Sequence, residues 1–198
     1  MRTSSSHEPD ADAARPPLTW VESMGGPLIA VPVSMLDHWG GSTMEGGQAG
    51  SGAVVDDYDR ACEIEDLAAL ITVGTSGSQA LLLADEPAST CYLSEQRTFI
   101  RWLAADSESA LLSAAEAALA DPATKWENCG VWETEGPAVL MDSAEAGADL
   151  NVEYPNGGGF PAHALVPLPA GRWSVRAART WEGQLTAVCL IQLISAAS

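Results

Sequence analysis

Residues 163–193 decide the fold class, and they read HALVPLPAGRWSVRAARTWEGQLTAVCLIQL. The stretch contains three runs of strand-forming residues, His163–Leu168, Trp173–Thr180 and Leu185–Leu193. Pro169–Gly171 supplies a turn between the first two runs. Because these strands follow one another without a helix between them, we expect antiparallel pairing. The stretch therefore argues against a doubly wound α/β sheet.

The same strand pattern recurs through the rest of the chain. Further strands are predicted at Leu18–Glu22, Leu28–Val31, Ile71–Val73, Gln79–Ala84, Thr90–Leu93, Thr98–Ala104, Trp126–Glu133, Ala138–Asp142 and Ala148–Tyr154. Asp56–Leu70 is predicted to form a helix, since carboxylates open it and favour a helix N-terminus. A second helix is predicted from Asp106 or Ser107 to the break at Asp121 and Pro122. The expected class is α+β, mainly antiparallel sheet with two principal helices packed on it.

One segment of the sequence occurs twice in similar form. Trp20–Ile29 resembles Trp132–Leu140, and both segments contain a Gly-Pro pair, Gly26-Pro27 and Gly136-Pro137. The repeat indicates either two similar sheet halves or a hairpin signal that recurs by chance.

The composition suits one folded domain, which we expect to span residues 18–198. The chain has 198 residues, of which 46% are hydrophobic, enough for a single core. Residues 1–17 are rich in Ser, Ala, Asp and Pro without an apolar period, and a disordered tail is predicted there. The glycine-rich residues 40–52 are predicted to form a flexible surface loop.

Charge is the most unusual global property of the chain. Its 27 acidic and 9 basic residues give a formal net charge of −18. Such a field repels phosphate backbones, so nucleic-acid binding is disfavoured. It favours fast association with a basic protein. The alternative is that the charge serves solubility alone.

Several features favour a cytoplasmic location. The longest apolar runs are far shorter than the roughly 20 residues that span a bilayer. Residues 1–17 lack the apolar run of a secretory signal. The four widely spaced cysteines are interpreted as reduced, mostly buried thiols: Cys62, Cys91, Cys129 and Cys189.

Catalytic motifs are not evident in the sequence. The histidines His7, His38 and His163 are not at metal-ligand spacing, and Lys125 follows no phosphate-binding glycine loop. We therefore expect no catalytic residue, cofactor or metal site. An alternative places a divalent cation among Asp57, Asp59 and Glu63, as part of an enzyme or a sensor.

A partner-binding surface is predicted around the densest acidic run. Its carboxylates are either a solvated helix N-terminus or a surface that faces a basic protein, with Tyr58 as an aromatic anchor. Trp39 and Trp181 lie beside glycine-bearing turns and are the candidates for exposed tryptophans, with a position in the core or at its edge as the alternative. The candidate residues are Asp56, Asp57, Tyr58, Asp59, Glu63, Asp66, Trp39 and Trp181.

A set of short motifs, in order, resembles the immunity protein 21 family of bacterial polymorphic toxin systems. The motifs are Trp20–Ser23, Gly25–Leu28, Asp57–Cys62, Asp85–Thr90, Phe99–Trp102 and Leu168–Trp173. The resemblance implies a non-catalytic, cytoplasmic antidote that neutralises a toxin domain in a tight one-to-one complex. We expect the toxin domain to be basic and the antidote itself to be a monomer. The alternative is a structural or adaptor subunit of a cytoplasmic assembly.

Overall fold

The computed structural model describes residues 17–43, 55–84, 86–182 and 185–196. The ten strands are β1 (Leu28–Pro32), β2 (Ala69–Thr72), β3 (Gln79–Leu83), β4 (Thr90–Leu93), β5 (Thr98–Ala104), β6 (Glu127–Thr134), β7 (Ala138–Asp142), β8 (His163–Val166), β9 (Gly171–Glu182) and β10 (Thr186–Ser195). The helices are α1 (Asp57–Cys62) and α2 (Glu108–Ala120), with 3₁₀ helices at Val33–His38 and Gly147–Asp149.

The strands form two five-stranded sheets. The first sheet has the order β2-β3-β1-β7-β8, and the second has the order β4-β5-β10-β9-β6. Every pairing between these strands is antiparallel. The prediction of a mainly antiparallel α+β protein is therefore confirmed.

The two sheets pack face to face, and each carries a helical layer on its outer side. Side chains of both sheets share the core between them, including Leu28, Leu140 and Val175. Helix α2 buries Leu111 against the outer face of the second sheet. Helix α1 and the first 3₁₀ helix cover the outer face of the first sheet, with Trp39 buried beneath them. The chain thus forms four layers around three apolar clusters.

The expectation of two principal helices is wrong, because α1 has six residues and only α2 is long. The helix predicted over Asp56–Leu70 ends at Cys62, and Ala69–Thr72 pairs with β3 instead. Leu67 and Leu70 pack against the core between the sheets. Burial of this apolar run in a sheet therefore outweighs its local helix propensity.

The strand predicted at Ala148–Tyr154 is also wrong. The chain there forms the second 3₁₀ helix and a turn, in which Leu150 is buried. The backbone N–H of Tyr154 bonds to the carbonyl of Gly159 at 2.7 Å, which closes a local loop instead of extending a sheet.

The strand order places the two similar segments beside each other, and both interpretations of their similarity remain open. The two Gly-Pro pairs lie directly before β1 and β7, which are neighbours at the centre of the first sheet. In that pairing Ala30 lies opposite Leu140. Ala30 lies three residues after Pro27, and Leu140 lies three residues after Pro137. Because these equivalent residues face each other in an antiparallel pair, a local twofold axis relates the two segments. In the second sheet β5 and β10, each the later strand of a hairpin, are likewise central neighbours.

The predicted tail, residues 1–17, and the predicted loop, residues 40–52, lie mostly outside the described residues. Both remain predictions, as does the domain boundary drawn from them. Among the residues that are described, no helix has the length and hydropathy needed to cross a membrane.

Candidate partner-binding surface

Asp56 lies at the N-terminus of α1, where it holds the backbone of two segments together. Its carboxylate accepts hydrogen bonds from the backbone N–H of Asp59 at 2.8 Å and of Thr43 at 2.7 Å. The Asp59 carboxylate reaches back to the N–H of Asp56 at 3.4 Å, which completes a capping box. Burial alone would raise the pKa of Asp56, but these hydrogen bonds outweigh it and lower the pKa.

Asp57 is also committed to contacts within the fold. One carboxylate oxygen accepts a bond from the N–H of Gly40 at 2.9 Å, and the other pairs with the Arg60 guanidinium at 2.6 Å. Arg60 in turn donates to the carbonyl of Thr72 at the end of β2, at 2.8 Å. Asp57 and Arg60 therefore tie α1 to its neighbours on the first sheet.

Tyr58 packs against a glycine instead of projecting from the surface. A Cβ atom added to Gly26 would lie 2.6 Å from the Tyr58 ring and hydroxyl, so only glycine allows this approach. A hydrogen bond with Cys62, together with burial, raises the pKa of Tyr58 to about 12. Burial, together with nearby Asp59, raises the pKa of the Cys62 thiol, although Tyr58 opposes the shift. Both groups are therefore neutral at physiological pH.

The remaining predicted carboxylates are exposed. Glu63 is the residue that follows the last turn of α1, and Asp66 lies in the bend before β2. Because α1 ends at Cys62, Glu63 and Asp66 lie outside the helix, although the sequence predicted a helix over Asp56–Leu70. Glu63 and Asp66 are the members of the predicted acidic set whose side chains lie on the surface.

The two predicted surface tryptophans differ in their burial. Trp39 is 1% exposed and donates its indole N–H to the carbonyl of Ser143 at 2.9 Å, so of the two alternatives it takes the core position and is not part of an exposed surface. Trp181 is 66% exposed, near the end of β9 in the hairpin with β10. Glycine-bearing turns flank both residues in the sequence, which is why the pattern could not separate them.

Other exposed apolar side chains were not singled out from the sequence. They are Met24, Val152, Phe160, Leu165 and Leu185, each more than half exposed. Leu165 lies on β8, an edge strand of the first sheet, and Met24 contacts the hydroxyl of Tyr154. The alternation of β8 could have indicated Leu165, since its neighbours Ala164 and Val166 are buried.

A metal site would need several cysteine, histidine or acidic side chains to converge. All four cysteines are free; Cys91 and Cys189 are buried, whereas Cys62 is exposed. Within the described ranges, no group of three or more His, Cys, Asp or Glu side chains is arranged to hold a metal ion.

Asp56→Ala is expected to lower the free energy of unfolding by about 1 kcal/mol at neutral pH, through loss of the helix cap. The folded-state pKa of Asp56 lies below its ordinary value of 3.8. The stabilisation is therefore present above that ordinary value and is lost as pH falls through the folded-state pKa. Chemical denaturation of the unsubstituted protein and of Asp56→Ala, at about pH 7 and about pH 3, measures the difference in their free energies of unfolding. An equal difference at both pH values would contradict the ionised cap.

The fold and surface together define an acidic, two-sheet α+β protein whose exposed side chains include carboxylates and scattered large apolar groups. The family model described as Immunity protein 21 matches residues 19–186. The chain therefore belongs to that family. Neither a curated protein nor a solved structure matches the chain.

Proposed function

We propose that this chain is an immunity protein that binds a cognate bacterial toxin domain and neutralises it in a tight one-to-one complex in the cytoplasm. The observation that carries the proposal is the family match, which covers residues 19–186 of the 198-residue chain. An immunity protein acts by occupying or blocking its toxin, so its own chain needs no catalytic residue.

The charge of the chain supports a basic partner. A formal net charge of −18 attracts a basic toxin over long distances and raises the rate of encounter. The exposed carboxylates Glu63 and Asp66 and the exposed ring of Trp181 are candidates for such an interface. A stable complex of this kind buries roughly 1,200–2,000 Å² in total, centred on a few anchors.

The proposal is tested by co-expressing the chain with the product of the adjacent upstream gene. We expect the host to survive only when the chain is present, and the two proteins to co-elute from a sizing column. The control is an unrelated acidic protein of similar size and charge, which should not protect. Loss of viability despite a well-expressed chain, or separate elution at micromolar concentration, would contradict the proposal.

The association rate with the toxin is expected to fall about tenfold or more between low salt and about 500 mM salt, because ions screen the attraction. The dissociation rate should change much less, since it reflects the close contacts. Stopped-flow mixing of the two purified proteins measures both rates. An association rate that does not respond to salt would rule out electrostatic capture.

A further inference from the structure

A cleft of about 460 Å³ opens at one end of the two-sheet sandwich. Its walls are the first 3₁₀ helix, the turn between β2 and β3, the turn between β6 and β7, and the start of β9. Its volume lies within the range of about 300–1,000 Å³ that is usual for binding pockets. Four separate segments of the fold therefore converge on one concave surface.

The ionisable groups of the cleft favour a cationic occupant. Among the described lining residues two are acidic, Glu133 and Glu135, and one is basic, Arg172. Arg172 is paired with Glu133 at 2.8 Å, and both side chains are more than half exposed. Glu135 is exposed and has no ion-pair partner within the described ranges. The carboxylate of Glu135 is therefore available to pair with a cationic group of a partner, in a protein whose net charge is already strongly negative.

A buried tryptophan beside the cleft has an unused hydrogen-bond donor. Trp173 is 4% exposed, and its indole N–H has no partner among the described residues. Its cross-strand neighbour Trp132 differs, because it donates to the carbonyl of Gln79 at 2.9 Å. Leaving a buried donor without an acceptor is unfavourable, because the group has given up its hydrogen bonds to water and gained none in return.

The unused donor lies next to the wall of the cleft. The indole nitrogen of Trp173 is 3.9 Å from the position that a Cβ atom on Gly171 would take, and Gly171 lines the cleft. Because residue 171 is glycine, no side chain fills the space between the cleft and the indole nitrogen at that point. The Arg97 guanidinium lies over one face of the Trp173 ring, 5.1 Å from its centre, in a cation–π contact.

We propose that this cleft is the anchor pocket for a basic loop of the toxin. The inference rests on the proposed function. An arginine or lysine side chain of the loop pairs with Glu135, and a backbone carbonyl of the same loop accepts the indole N–H of Trp173. A peptide segment supplies both groups together, whereas a free cation supplies only the charge.

The proposal is tested on the complex with the charge reversal Glu135→Lys. We expect the affinity for the toxin to fall by about tenfold or more. The matched control is Glu153→Lys, an exposed carboxylate in the β7–β8 loop beside Tyr154, at the end of the sandwich where Met24 lies. The control should lower affinity by less than about threefold, through long-range charge alone. Equal losses in both variants, or no loss for Glu135→Lys, would overturn the proposal.

A second measurement does not need the toxin. A capped Gly-Arg-Gly peptide at millimolar concentration is expected to shift the indole N–H signal of Trp173 in proton–nitrogen NMR spectra, with the signal assigned through Trp173→Phe. Capped Gly-Glu-Gly should leave the signal in place, and Glu135→Lys should abolish the response to the arginine peptide. An unmoved Trp173 signal overturns the pocket. If no toxin complex forms while the peptide still binds, the proposed function fails and the pocket stands.

Discussion

Trp39→Ala is expected to lower the free energy of unfolding by about 3–5 kcal/mol. The ring is 1% exposed within the outer core of the first sheet, so its removal leaves a large cavity. The carbonyl of Ser143 also loses the indole N–H that lies 2.9 Å from it. Urea denaturation followed by far-ultraviolet circular dichroism measures the change.

Trp181→Ala is the matched control for this prediction, because it removes the same side chain from a surface position. Its ring is 66% exposed, and we expect a change in unfolding free energy of about 0.5 kcal/mol or less. Trp181→Ala tests a binding role directly, whereas Trp39→Ala affects binding through the loss of folded protein. Similar destabilisation by the two substitutions would contradict the described burial.

Arg101→Ala is expected to lower the free energy of unfolding by about 3–5 kcal/mol, also measured by urea denaturation. Arg101 is fully buried, and its guanidinium donates to the backbone carbonyls of Ala84 and Glu86. These carbonyls belong to the crossing from β3 to β4, where the chain passes from the first sheet to the second. The substitution removes both donors and leaves a cavity between the sheets.

Two further variants separate the causes of this effect. Arg101→Met keeps most of the volume, and we expect it to remain destabilised because the carbonyls still lack a donor. Arg179→Ala breaks the neighbouring ion pair with Glu86, whose partners are 32% and 52% exposed, and should change stability by about 1 kcal/mol or less. Full recovery of stability in Arg101→Met would show that volume, not hydrogen bonding, is what Arg101 contributes.

The fold was largely predictable where local pattern and burial agree. The bounds of β4, β5 and β7 match the sequence prediction, since apolar runs there are closed by turn residues. Ser107 caps α2 as expected, with its hydroxyl 3.2 Å from the N–H of Ala110. The prediction failed at Asp56–Leu70, because pairing of β2 with β3 is a long-range contact that no local window contains.

The candidate surface was less predictable than the fold. A run of carboxylates looks the same in sequence whether it faces solvent or caps a helix, and Asp56 and Asp57 prove to be bound to backbone N–H groups. The cleft could not be predicted from the sequence, for a different reason. Glu135 lies near Gly171 only because β6 and β9 pair, and Gly171 leaves the indole nitrogen of Trp173 beside the cleft because it has no side chain.

The position of β10 has a consequence for biosynthesis. It is translated after the other nine strands, yet it lies between β5 and β9 in the middle of the second sheet. Until the ribosome has released this strand, β5 has only β4 beside it and β9 has only β6. The second sheet is therefore completed only when the last strand has emerged from the ribosome, so a ribosome-bound chain exposes unpaired strand edges until the end of its synthesis.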